Sequence, residues 1–373
     1  MNYLILITYW ILFWKKFLKN PYLLCTSELA STYFPHWLWM GRKWQATDSI
    51  YYQHPACIPF LSMFYPFHVL TARLSRNMSH DSAFRLLTWN IIGHYFLASI
   101  IAFSLFSPYG TLPALFGAIT LTYAGYCIKP QTPSFVYTMT WMPGMLIGGP
   151  IGWISCGMAI LGGYWPTLVY FLPVAALLNP TCLIGLIIGL PQIIPFAWYW
   201  PRSIRAGEEF DRKQGRVPWW KLKDLLIPSN SVAPTNGVHF PEVEMYMGMA
   251  ILLIWKASLW WVPLIMAIII LIGIVPPVQR IPSRALYLLT LSFVFLTRNQ
   301  LSIPLVMLQA WLLLRNASIY PSFPFSQWYD KPSRLYARYK DKSKWPHFSG
   351  YLEGVRHADY QGAFRLRPEF RTV

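Results

Sequence analysis

The chain has 373 residues, of which 55% are hydrophobic and only 12% charged, whereas soluble chains carry about 25% charged residues. That balance excludes the two or three soluble domains that length alone would allow. Lys and Arg number 31 against 14 Asp and Glu, a net charge of +17, which fits cationic loops on anionic lipid headgroups better than a nucleic-acid partner.

The distribution of the acids sets the fold class. No Asp or Glu lies between Asp81 and Glu208, and none between Glu244 and Asp330. A carboxylate at the bilayer centre costs roughly 2.5–3.5 kcal/mol, so two such stretches point to lipid. The expected fold is an all-α polytopic membrane protein of about 9–11 transmembrane helices with a long interfacial first loop.

In chain order, residues 1–19 form an apolar stretch closed by Lys15, Lys16 and Lys19. A signal peptide would place its charge first and end in a small-residue cleavage site, so this reads as a retained first transmembrane helix. Residues 20–85 contain no clean span. Their PHWLW and YYQHP segments belong at a membrane–water interface, where Trp and Tyr rings sit at headgroup level.

A transmembrane bundle is expected over 86–200, with candidate spans at 86–106, 111–128, 135–149, 151–163, 165–178 and 181–200. A second polar loop follows at 201–244, with seven basic and six acidic residues. Further transmembrane helices fall within 245–315, at 245–257, 259–278, 285–297 and 301–314, and a basic polar tail covers 316–373. Several segments are shorter than the ~20 residues a perpendicular span needs. The pairs 151–163 with 165–178 and 285–297 with 301–314 therefore read either as single tilted helices or as re-entrant pairs. Pro143, Pro150, Pro173, Pro191, Pro195, Pro263 and Pro304 interrupt these runs, and lipid tolerates broken helices only where protein or a cavity satisfies the freed backbone groups.

The five cysteines are odd in number and show no CxxC spacing, so neither a disulfide framework nor a zinc site is expected. His36, His54 and His68 match no recognised metal spacing, and no metal is assigned. Glu28 and Asp48 are the only acids before Asp81. Each reads as a catalytic carboxylate or as a solvated loop charge; Glu28 also fits the first turn of a helix capped by Thr26 or Ser27. Arg202 and Arg205 follow the run GLPQIIPFAWYW, and Arg280 and Arg284 bracket IPS. Arginines at span ends either snorkel to the interface or clamp phosphate with their planar forks. Six candidate spans separate 20–85 from 201–244 and two more precede Arg280, so even counts put all three on one membrane face.

The order of these motifs resembles the YfhO family of bacterial membrane proteins, which have a GT-C-type glycosyltransferase architecture. SELASTYFPHWLWMGRKW is similar to that family's opening loop, and TDSIYYQHPACIPFLSMFYP to its continuation. NIIGHYFLASIIAFSLF and TLPALFGAITLTYAGY resemble its next spans. IGLPQIIPFAWYWPRSIR, EVEMYMGMAILLI and RIPSRALYLLTL resemble later elements. The likeness covers roughly residues 20–300, with Glu28 where the family pattern has Asp, and with the large final portion reduced to a basic tail.

The resemblance implies transfer of a sugar from a polyprenyl-phosphate donor to a cell-envelope acceptor, in the bacterial inner (plasma) membrane. It implies Glu28 as general base, with Asp48 as second choice or as a group that positions the acceptor or a divalent metal. Arg205, with Arg280 and Arg284 behind it, would bind the lipid phosphate. Partners would be the lipid-linked sugar and membrane lipid. It also implies a first loop on the side opposite the cytoplasm, which leaves Lys15, Lys16, Arg42, Arg73, Arg76 and Arg85 outside, against the positive-inside bias. Two other readings stand beside it. One is a lipid or polysaccharide transporter or flippase, for which His94 and Lys256 are the ionisable candidates within spans. The other is a GT-C-like envelope assembly protein without activity.

Overall fold

The computed structural model describes residues 2–24, 29, 33–42, 62–124, 127–128, 133–199 and 286–316. Every regular element among them is helical. Helix α1 covers Asn2–Lys19, and the short helices α2 (Phe34–Arg42) and α3 (Pro66–Leu74) belong to the expected first loop. Then come α4 (His80–Phe106), α5 (Thr111–Tyr123), α6 (Pro133–Trp141), α7 (Pro150–Gly162), α8 (Trp165–Leu178) and α9 (Leu186–Tyr199). After the undescribed 200–285, α10 (Leu286–Thr297) and α11 (Ile303–Asn316) complete the described residues. The second loop, the spans expected at 245–257 and 259–278, and the tail after Asn316 lie outside them.

Local chemistry sets the boundaries. Ser79 caps α4 by accepting from the Ser82 backbone N–H, with Asp81 in the first turn, where a negative charge meets the positive end of the helix dipole. Gly110, at φ 107°, supplies the left-handed residue that turns α4 back into α5. Pro150 opens α7, and Gly163 closes it in the left-handed conformation, the usual asymmetry of proline at starts and glycine at ends. The segments 151–163 and 165–178 are thus two helices reversed at Gly163 rather than one tilted helix. Two helical runs, His80–Tyr109 of 30 residues and Pro180–Trp198 of 19, are long and apolar enough to cross a membrane.

Helix α4 runs through the core. Antiparallel to it, α1 brings the Tyr3 ring to 5.6 Å from Phe103, and Trp10 Nε1 donates to the Ile92 carbonyl at 2.9 Å. Helix α11 closes on α1 and α5: Tyr9 Oη donates to the Ala310 carbonyl at 3.0 Å, and Gln309 Nε2 to Thr120 Oγ1 at 3.2 Å. Glycines of α7 and α9 make room for isoleucine side chains of the facing helix. A Cβ on Gly157 would meet Ile188, and one on Gly189 would meet Ile160, the close approach that small residues permit between apolar helices.

These contacts give the bundle two ends. Tyr109, Phe106 and Phe295 meet at one, with Phe106 and Phe295 ring centroids 4.7 Å apart. The other end carries the C-terminus of α1, the short helices α2 and α3, and the start of α4. The outer surface is strongly apolar: Leu4, Leu177, Ile187, Ile194 and Met307 are each more than half exposed.

Candidate functional site at the first-loop end

Glu28, Asp48, Arg205, Arg280 and Arg284 lie outside the described residues, but described segments precede or follow four of them within a short stretch of chain. Before Glu28, the Pro21–Leu24 turn is held to α4: Thr88 Oγ1 donates to the Pro21 carbonyl at 3.4 Å, and Tyr22 stacks on Phe84. Just after it, Leu29 is fully buried. Asp48 falls between Arg42, whose Nη2 donates to the Met78 carbonyl at 3.1 Å, and Ser62, whose Oγ donates to the Gly162 carbonyl at 2.6 Å.

The arginines follow the same pattern. Helix α9 ends with Phe196 stacked at 4.5 Å on Trp165, which begins α8 beside Tyr164 and Phe135; Arg205 comes shortly after that end. Helix α10 finishes at the opposite end of the bundle, beside Phe106, so its first residue Leu286 points back toward the first loop. Arg284 precedes it by two positions. The described residues nearest to Glu28, Asp48, Arg205 and Arg284 therefore lie toward one end of the bundle, whereas Arg280 falls further inside the undescribed stretch.

Beneath that end lies a buried polar and aromatic cluster. The turn at Ser62–Tyr65 places Tyr65 Oη 2.8 Å from His94 Nε2, and Trp141 Nε1 donates to the same Tyr65 oxygen at 2.8 Å. His94 Nδ1 lies 2.7 Å from the Asn90 carbonyl. A carbonyl only accepts, so the proton is on Nδ1. Nε2 then accepts from the Tyr65 hydroxyl, which in turn accepts from Trp141. All three groups are satisfied with a neutral imidazole, and each proton's place follows from its partners.

A second pair sits alongside. His68 Nδ1 meets Tyr137 Oη at 3.0 Å, and Tyr137 stacks on Tyr65 at 4.5 Å, nearly parallel. His36, His68 and His94 are all buried. Burial holds His68 well below the ordinary imidazole range, and the neighbouring His36 and His94 push it further down. His68 Nε2 has no hydrogen-bond partner among the described residues.

This cluster clasps the first loop to the core, joining α3 and its turn to α4 and α6. Its chemistry is that of a positioning device: among the described residues it contains no carboxylate, and both nitrogens of His94 are engaged. Among the described residues no group of three or more His, Cys, Asp or Glu is placed to hold a metal ion. Cys127, Cys156 and Cys182 are buried free thiols. Sequence reading singled out His36, His68 and His94 but missed Tyr65, Tyr137 and Trp141 as their partners. The one available signal was the FYP segment at 64–66, quoted only as part of a motif. No family model matches the chain, and neither does any curated protein or solved structure.

Proposed function

We propose that the chain is a multi-span integral membrane protein that transfers a sugar from a polyprenyl-phosphate donor to a cell-envelope acceptor. The membrane reading draws on two long apolar helical runs and on the many exposed leucines and isoleucines along the helices. The transfer reading draws on the family resemblance and on one structural observation that carries it: the chain on both sides of Glu28 and Asp48, and next to Arg205 and Arg284, leaves from one end of the bundle.

In this reading Glu28 takes the acceptor hydroxyl proton and Asp48 positions the acceptor or a divalent metal. Arg205, with Arg280 and Arg284, stabilises the departing lipid phosphate through charge-assisted hydrogen bonds. The Tyr65–His94 clasp would hold the loop that bears both acids at a constant height over the bundle. A transporter would use an ionisable group deep in a helix. His94 is the candidate in the longest helix, but both its nitrogens are already hydrogen-bonded, so no observation favours that alternative.

The test is sugar transfer from polyprenyl-phosphate donors in proteoliposomes. Glu28→Gln keeps shape and hydrogen bonding while removing the proton acceptor, and should lower the rate about 10²–10⁴-fold. Arg205→Ala should weaken donor binding instead. Full activity of Glu28→Gln removes it as the base. A wild-type protein inert with every common donor replaces this proposal with the non-catalytic assembly reading.

A further inference from the structure

The charged side chains are unevenly divided between the two ends of the bundle. The described residues include nine Lys or Arg and a single acid, Asp81. Eight of the nine cations stand toward the first-loop end. Among the described residues, the connections at the opposite end, 107–110, 142–149, 179–181 and 298–302, carry only Arg298. Its guanidinium is committed, 4.6 Å over the Tyr109 ring and donating to the Phe295 carbonyl at 2.5 Å.

The cations of the first-loop end are set on a surface shaped for an interface. In α3, His68 and Ala72 are buried, while Phe67, Leu70 and Leu74 are 42%, 57% and 59% exposed. Those three form an outward apolar stripe, flanked by the exposed Arg73 and Arg76. An amphipathic helix with basic residues beside an apolar face lies in the plane of a membrane interface. Nearby, Lys15, Lys16 and Lys19 are exposed at the end of α1. Arg85, also exposed, donates to Tyr22 Oη at 2.8 Å, with its guanidinium carbon 5.2 Å from the centre of that ring.

We infer that this end of the bundle docks on the anionic phospholipid headgroups of the cytoplasmic leaflet. Leu70 and Leu74 enter the acyl boundary, and Lys15, Lys16, Lys19 and Arg76 meet the phosphates. Two physical effects agree on that occupant: polybasic surfaces are drawn to anionic leaflets, and Lys and Arg concentrate in the cytoplasmic loops of membrane proteins. The first loop then faces the cytoplasm, the reverse of the side that the family resemblance implies, so this orientation would put the proposed transfer site on the cytoplasmic face and the labelling below also decides on which face transfer takes place. The inference rests on the membrane reading proposed above, not on the transfer activity.

The experiment uses the full chain in bacterial spheroplasts, with Cys25→Ser, Cys57→Ser and Asn77→Cys in the exposed turn after α3. Alkaline carbonate extraction comes first, and release of the protein would refute the membrane reading itself. For protein that stays in the membrane, an impermeant maleimide is expected to label Cys only after the spheroplasts are opened, the other described cysteines being buried. Labelling of intact spheroplasts overturns the orientation.

A second arm measures the melting temperature in nanodiscs of phosphatidylcholine with and without phosphatidylglycerol. The wild type should melt higher with the anionic lipid. The K15Q/K16Q/K19Q/R76Q variant, altered only at exposed positions, should lose most of that rise. No rise in the wild type, or an equal rise in both proteins, overturns the headgroup contact.

Discussion

Tyr65→Phe is the sharpest test of how the first loop is held. The substitution removes one oxygen and leaves the ring, which remains stacked on Tyr137 at 4.5 Å. That oxygen serves two partners at 2.8 Å each, accepting from the half-buried Trp141 Nε1 and donating to the buried His94 Nε2. Both are orphaned together. An unsatisfied buried polar group costs about 1–3 kcal/mol, so the pair predicts a loss of about 3 kcal/mol. The average of about 0.6 kcal/mol per hydrogen bond within membranes sets a floor near 1 kcal/mol.

Tyr137→Phe is the control. It breaks only the 3.0 Å bond to His68 Nδ1 and should cost about half as much. Stability is read as folded fraction against SDS mole fraction in mixed micelles, and the indole N–H resonance of Trp141 reports the local bond. A Tyr65→Phe protein within about 0.5 kcal/mol of wild type, with an unshifted Trp141 indole, would refute the shared-oxygen arrangement.

His68 adds a pH dependence. Folded, it stays neutral well below its usual range, while the unfolded chain takes up the proton near about pH 6.5. Below that value the unfolded state binds more protons, so stability should fall with decreasing pH, by up to about 1.4 kcal/mol per unit. His68→Phe should flatten the melting temperature between pH 7 and pH 5 relative to wild type, and an unchanged slope would contradict its neutral burial. Ser62 holds φ 57° while its Oγ bonds Gly162. Ser62→Val should cost about 1–3 kcal/mol in backbone strain alone, whereas Ser62→Gly, relieving strain as it loses the bond, should melt close to wild type. Gly185→Ala would drive a Cβ against the Trp153 carbonyl and to 2.7 Å from Cys156 Cβ. It should destabilise by about 1–3 kcal/mol, visible as a lower melting temperature and a poorer membrane yield.

Much of the helical layout was legible in the chain itself, because apolar runs and their breakers act locally. The run before Lys15 became α1, and the stretches expected at 86–106, 151–163 and 165–178 are helices in the structure. Glycine, proline and serine set their ends for reasons visible within a few residues. The carboxylate-free intervals, and the basic residues gathered before Arg85, are likewise properties of the sequence.

What the chain order could not disclose is which distant side chains meet at one hydroxyl. Tyr65, His94 and Trp141 are separated by tens of residues, and nothing in the spacing of the FYP segment points to a histidine in one helix and a tryptophan in another. Only the side-by-side packing of α4 and α6 beneath the first loop brings the three to hydrogen-bond distance. The same packing decided that α7 and α8 reverse at Gly163, since a short apolar run is compatible with either a tilted helix or a hairpin until a neighbour fixes its direction. It also decided that eight of the nine described cations gather at one end, because the sign of each charge is written in the sequence, while the end it occupies depends on which way every preceding helix runs.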